Sequence, residues 1–88
     1  MNNKSKIVKE SSLYFVEGFD GYNYIIKLDS LRNYEAKVPA DTFHVIRMSV
    51  RRNLELYLAL QLVSSARSSE IILNEIDKLV QGGVIIIA

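Results

Sequence analysis

The run Gly18-Phe19-Asp20-Gly21-Tyr22-Asn23-Tyr24-Ile25-Ile26-Lys27-Leu28 decides the fold. Asp-Gly between two apolar stretches is a strong hairpin signal, because a tight loop needs left-handed backbone that Gly adopts without a Cβ clash. It predicts a strand on either side. The first is clearest at Leu13-Tyr14-Phe15-Val16, inside a run from Ile7 to Glu17 that favours an extended chain. The second covers Tyr22 to Leu28 and puts Tyr22, Tyr24, Ile26 and Leu28 on one face. Asp29-Ser30-Leu31-Arg32-Asn33 is rich in turn formers. A third strand, Tyr34-Glu35-Ala36-Lys37-Val38, alternates cleanly, with Tyr34, Ala36 and Val38 inward and Glu35 and Lys37 outward. These segments predict a three-stranded antiparallel meander with one face for a core.

Working towards the C-terminus, Pro39 ends the sheet and opens a helix. It biases Val38 to an extended conformation, and its missing N–H costs nothing in a first helical turn. Phe43, Ile46, Val50 and Leu54 then recur at three-to-four spacing from Ala40 onward. Asn53 is placed to stop this helix and to cap the next. From Leu54 to Leu62 every second residue is Leu, a strand-like alternation. The intervening residues favour a helix, and no β-branched residue precedes Val63. A helix is predicted here, with one long helix over 40–65 as the alternative, so that two or three helices follow the sheet. Whether Leu54–Leu62 is core or interface stays open.

Ser64 to Ser69 is a connection, with Ser68 or Ser69 as N-cap of a helix from Glu70 to Gln81. That helix carries Ile72, Ile76, Leu79 and Val80 inward and Glu75, Asp77 and Lys78 outward. Gly82-Gly83 stops it, and Val84 to Ile87 reads as a short closing strand. The fold class is α+β: a winged-helix-like meander, two or three helices and a C-terminal strand. Residues 1–6 are a polar, flexible start and residues 7–88 one domain.

The 88 residues, 49 % apolar and 24 % charged with a net charge of +1, fit one small globular domain. The apolar run closing the chain is too short to span a bilayer, and the polar, charged opening does not resemble a secretory signal, so a cytoplasmic protein without a membrane partner is expected. With no Cys, disulfides and cysteine zinc sites are excluded. Charge is uneven. Residues 31–53 carry five basic and two acidic side chains, a balance of +3, while residues 54–88 sum to −2. That is far from the basic stripe of a dedicated nucleic-acid binder. A mean hydropathy of +0.09 in so small a domain predicts apolar surface left outside, placed at Leu54–Val63 and Ile71–Ile87, and hence a protein or peptide partner or a homodimer contact.

Little in the chain suggests catalysis. His44 is the only histidine, and Asp41 shares its helical face if the helix starts at Ala40. Such a couple needs a nucleophile or a metal beside it to act, and a lone surface or half-buried histidine is the preferred reading. Glu75 and Asp77 point to different helix faces. Gly18-x-x-Gly21 joins strands rather than the two helices of an RNA-clamping GxxG loop, and Gly82-Gly83 lacks the Lys-Ser or Lys-Thr of a phosphate loop. No enzyme, cofactor or metal site is expected. Arg47, Arg51 and Arg52 are candidate phosphate contacts, weighed against a solvated face with their stems over apolar neighbours. Tyr14, Tyr22, Tyr24 and Tyr34 on strands and Tyr57 on a helix are expected to cover the core and show their hydroxyls to water.

Three segments carry a family resemblance: Asp20-Gly21 into Tyr24-Ile25-Ile26-Lys27-Leu28-Asp29, Arg32-Asn33-Tyr34 through Val38 to Phe43 and Ile46, and Ile72 through Gly82-Gly83-Val84-Ile85. Together they resemble the PqqD-like peptide-recognition domains, or RiPP recognition elements, small winged-helix modules that hold the leader of a precursor peptide. The family's Asn-x-Thr and Ile-Trp positions around the first helix are absent, and Arg52-Asn53 replaces its Gly-Thr before the second. The resemblance implies strand addition: a peptide pairs with Tyr34–Val38, its side chains enter a groove lined by Ile72, Ile76 and Leu79, and Glu75, Arg32 and Lys37 select charge at the rim. Two other readings stand beside it. One is a small dimeric DNA-binding regulator using Arg47, Arg51 and Arg52; the other is a small inhibitor or adaptor that occupies a larger protein.

Overall fold

The computed structural model describes residues 3–9 and 12–88. Met1 and Asn2 of the polar start, and Glu10 and Ser11 of the extended run, lie outside the described residues. The elements are β1 (Val8–Lys9), β2 (Leu13–Glu17), β3 (Asn23–Leu28), β4 (Asn33–Val38), α1 (Ala40–Arg52), α2 (Leu56–Leu62), α3 (Ser69–Gln81) and β5 (Ile86–Ile87). The fold is α+β. β2, β3 and β4 form an antiparallel meander in that order, three helices follow, and the C-terminal strand pairs antiparallel with β1. The closing strand is shorter than expected. Its partner β1, part of the extended run, makes a two-residue ribbon in which Val8 faces Ile87 and Lys9 faces Ile86.

The Asp-Gly turn forms, but as a wider loop. Glu17 pairs with Asn23, so Gly18 to Tyr22 all lie in the connection and Tyr22 is not part of β3. Gly21 sits at φ +83°, and the Gly18 N–H donates to the Tyr22 carbonyl at 2.8 Å. Ile25, fully buried, claims the covered face of β3. Because side chains alternate along a strand, Tyr24, Ile26 and Leu28 then take the opposite face, beside Tyr14 and Val16 of β2. This corrects the expectation for the tyrosines. Tyr14 and Tyr22 are 55 % and 50 % exposed, Tyr57 is exposed on α2, and only Tyr34 packs against the core. β4 alternates as its pattern predicts, with Val38 buried and Glu35 and Lys37 exposed.

Asn53 separates α1 from α2. It holds the left-handed conformation at φ 54° and ψ 47°, which Asn tolerates better than most residues, and its N–H donates to the Ser49 carbonyl. The single long helix over 40–65 therefore does not form. Asn53 does not cap α2, however: Glu55 precedes that helix and makes no side-chain cap bond. The exposed helix N–H groups are met from the chain start instead. Leu56 and Tyr57 donate to the carbonyls of Lys6 and Lys4, each at 2.9 Å, so residues 4–6 of the polar start are hydrogen-bonded in place. Ser68 caps α3 as predicted, accepting from the Ile71 N–H at 3.4 Å.

The core lies between the covered sheet face, α1, α2 and α3, with Ile25, Phe43, Ile46, Leu56, Ala59 and Ile76 fully buried. Leu54–Leu62 is both core and surface. Leu56 and Ala59 point in, whereas Leu62 is 56 % exposed. Phe43 meets Phe15 edge-to-face with centroids 5.7 Å apart, fixing α1 on β2. Ser49, also fully buried, is satisfied twice: its Oγ accepts the Val8 N–H at 2.9 Å and donates to the Leu54 carbonyl at 2.7 Å. One hydroxyl thus ties β1 to the corner between α1 and α2. The exposed apolar surface is not concentrated where the composition suggested. It covers the outer sheet face at Tyr14, Val16 and Leu28 and the connections at Phe19, Tyr22 and Leu31, with Tyr57, Leu62, Ile71 and Ile86 as separate additions.

Candidate functional site

β4 is an edge strand. β3 lies on one side, and among the described residues no strand pairs with the other. Every second backbone N–H and C=O of an edge strand points away from its neighbour and is available to another chain. α3 runs along this edge in the opposite direction. Glu75, Lys78 and Leu79 line a cleft of about 230 Å³ with Lys37, Val38 and Pro39 at the end of β4. At its start, the Tyr34 ring packs on Gly83 just beyond α3. Gly83 holds φ +79°, and a Cβ there would meet the ring at 3.6 Å. The Arg32 guanidinium lies 4.4 Å from the centre of the same ring, and Lys27 Nζ donates to the Gly83 carbonyl at 3.2 Å.

The expected peptide-contact residues therefore fall into three groups. Lys37, Glu75 and Leu79 line one groove, although the Lys37 ammonium lies over the Tyr22 ring, 3.9 Å from its centre. Arg32 and Tyr34 stack together at the other end of the same strand. Ile72 and Ile76 are corrected. At 2 % and 0 % exposure they form the core beneath α3 and cannot line a surface groove, because the stripe of an amphipathic helix that packs on a sheet is the stripe it withholds from solvent. Lys78 and Pro39 join the groove without having been singled out.

Glu75 is not the free rim charge its spacing suggested. Its Oε1 accepts from the Thr42 hydroxyl and from Arg67 Nη2 at 2.9 Å, and its Oε2 accepts from Arg67 Nη1 at 2.6 Å. Arg67 also donates through Nε to Asp41 Oδ2 at 2.8 Å and through Nη2 to Asp41 Oδ1. One guanidinium thereby joins the start of α1, the α2–α3 connection and the middle of α3. Hydrogen bonding from Arg67, joined by Ser65 and the Thr42 N–H, holds the Asp41 carboxyl well below the usual carboxylate range. Arg67 and Thr42 lower Glu75 likewise, and the two carboxylates raise Arg67 in return. The one signal in sequence was Arg67 as the lone charge in a serine run; its partners are brought to it only by tertiary folding.

His44 and Asp41 do not form a couple. Asp41 is committed to Arg67, while Nδ1 of the half-buried His44 accepts from Arg47 Nη2 at 2.8 Å, an arginine having no acceptor to offer in return. Arg47 also pairs with Glu17 at 3.4 Å, whereas Arg51 and Arg52 make no ion pair among the described residues. Among those residues no group of three or more His, Cys, Asp or Glu is placed to hold a metal ion, and no helix is long and apolar enough to cross a membrane. Comparison with protein-family models, with curated proteins and with solved structures gives no match.

Proposed function

We propose that this chain is a non-catalytic, PqqD-like peptide-binding module that takes an extended peptide as an added strand on β4, beside α3. The observation that carries the reading is the edge of β4, unpaired among the described residues, with a side-chain-sized cleft next to it. At about 230 Å³ that cleft is below the ~300–1,000 Å³ of small-molecule sites. Main-chain bonds along Asn33–Val38 supply affinity, and the cleft admits one side chain of the peptide. Both Glu75 oxygens are occupied by Arg67 and Thr42, and the Lys37 ammonium lies over the Tyr22 ring at 3.9 Å, so Lys78 sets the charge at the mouth and favours an acidic or polar-tipped residue. A homodimer belongs to the same reading. The outer sheet face at Tyr14, Val16 and Leu28 supplies its apolar contact and leaves the β4 edge free.

The test is selection from a random decapeptide library on the immobilised protein, followed by NMR with the selected peptide. Shifts confined to the β4 amides, Lys78 and Leu79, and a loss of about tenfold in affinity when one edge-facing peptide amide is N-methylated, support strand addition. Shifts elsewhere with β4 unmoved, or indifference to N-methylation at every position, overturn it.

A further inference from the structure

The C-terminal half of α1 and the end of α2 flank a second, larger cleft that shares no lining residue with the β4 groove. Its volume is about 590 Å³, inside the ~300–1,000 Å³ range of small-molecule sites. Its lining combines a cationic wall, Arg47, Arg51 and Arg52, with apolar side chains, Met48, Leu62 and Val63, and is completed by His44 and Ser64. No carboxylate lines it. The cationic wall is partly fixed before any ligand arrives. The Arg47 guanidinium lies 5.0 Å from the Phe43 ring centre and is bonded to His44, and that of Arg51 lies 6.0 Å from the Phe15 ring centre. Aromatic faces hold guanidinium planes in place, which reduces the ordering entropy lost on binding an anion. The only carboxylate bonded to these three arginines among the described residues is Glu17, at 3.4 Å from Arg47 and itself 65 % exposed. The apolar wall is the complement: Leu62 projects 56 % exposed at the end of α2, and Met48 is an adaptable thioether.

We propose that this cleft binds a small amphipathic anion, with a carboxylate or phosphate head on Arg51 and Arg52, assisted by Arg47, and an apolar body on Met48, Leu62 and Val63. Guanidinium forks match the oxygens of either head group. A concave cleft between two helices and a connection fits a free molecule better than a flat membrane surface or a nucleic-acid backbone.

The experiment is NMR titration of the full chain with octyl phosphate below its micelle concentration, beside inorganic phosphate and octyl glucoside. Saturable shifts at Arg51, Arg52, Leu62 and Val63 with β4 unmoved are expected. Inorganic phosphate should act on the arginines alone and more weakly, and octyl glucoside should leave the arginines unmoved. Arg51→Gln/Arg52→Gln, whose fold is checked by its unchanged remaining spectrum, should weaken octyl phosphate by about tenfold, the size of two lost solvent-exposed ion pairs. If the double variant is unstable, Arg52→Gln alone carries the comparison. The proposal falls if octyl phosphate does not saturate, if the arginine variant binds it equally, or if octyl glucoside reproduces the shifts. It falls equally if octyl phosphate fails while anionic phosphatidylglycerol vesicles or a salt-sensitive DNA duplex engage the same arginines.

Discussion

Replacing Arg67 by Met removes the guanidinium that joins Asp41, Thr42 and Glu75 while keeping an unbranched side chain over the same surface. The side chains of Asp41, Glu75 and Arg67 are 14 %, 28 % and 32 % exposed, so the cluster lies between two measured limits. Removing one partner costs roughly 0–1 kcal/mol in an exposed pair and about 3–5 kcal/mol in a buried one. An intermediate loss of about 2 kcal/mol follows, since two carboxylates are left facing each other across Thr42. For a domain of this size each kcal/mol moves Tm by roughly 4–8 °C, so the variant should melt about 8–16 °C below the wild type at pH 7. The pH dependence is signed. Both carboxyls titrate lower in the folded chain than in the unfolded one, so their stabilisation is fully present above the unfolded carboxylate range near pH 4 and is lost as pH falls through the folded values. The gap between wild type and variant should therefore narrow from pH 6 towards pH 2. Thermal melts followed by circular dichroism at both ends of that range decide it. A deficit under about 2 °C at pH 7, or a gap that ignores pH, refutes the assignment of Arg67 as the tie between the helices.

Three further outcomes can be checked independently. Ser49→Ala strands the Val8 N–H and the Leu54 carbonyl inside the protein and should cost about 1–3 kcal/mol in urea unfolding, with m unchanged. Asn53→Gly should be neutral or stabilising because the position holds φ 54°, whereas Asn53→Val at the same site should lose about 1–2 kcal/mol; equal stabilities would contradict a left-handed break between α1 and α2. The hydrogen bond to Asp20 pushes the Tyr24 hydroxyl up to about 12, so an ultraviolet titration should show one tyrosine ionising late, and Asp20→Asn should return it towards 10.

The parts of the fold legible in sequence are those written in local chemistry. Pro39, Asn53, Ser68 and Gly82-Gly83 mark helix limits because each acts through its own backbone or its nearest neighbours, and these limits match α1 and α3 closely. The meander was legible for the same reason. The face of β3 was not, because Ile25 and Ile26 are adjacent and either could be the inward residue. Its assignment depends on Phe43 and Phe15 across the core, and with it goes the position of Tyr14 and Tyr24. The β1–β5 ribbon joins the two ends of the chain through two residues each, a pairing with no local signature. At the candidate site, Lys37, Glu75 and Leu79 could be chosen from pattern alone. The occupation of Glu75 by Arg67 could not, since it is set by the fold.

Amide hydrogen exchange along Asn33–Val38 in the unliganded protein tests the central claim, an open β4 edge, most directly. In an edge strand one set of alternate amides bonds to β3 and the other faces outward, so the account predicts alternating slow and near-unprotected exchange along these residues. Uniform protection of all of them, in the free protein at any concentration, would mean the edge is already covered and would contradict strand addition there.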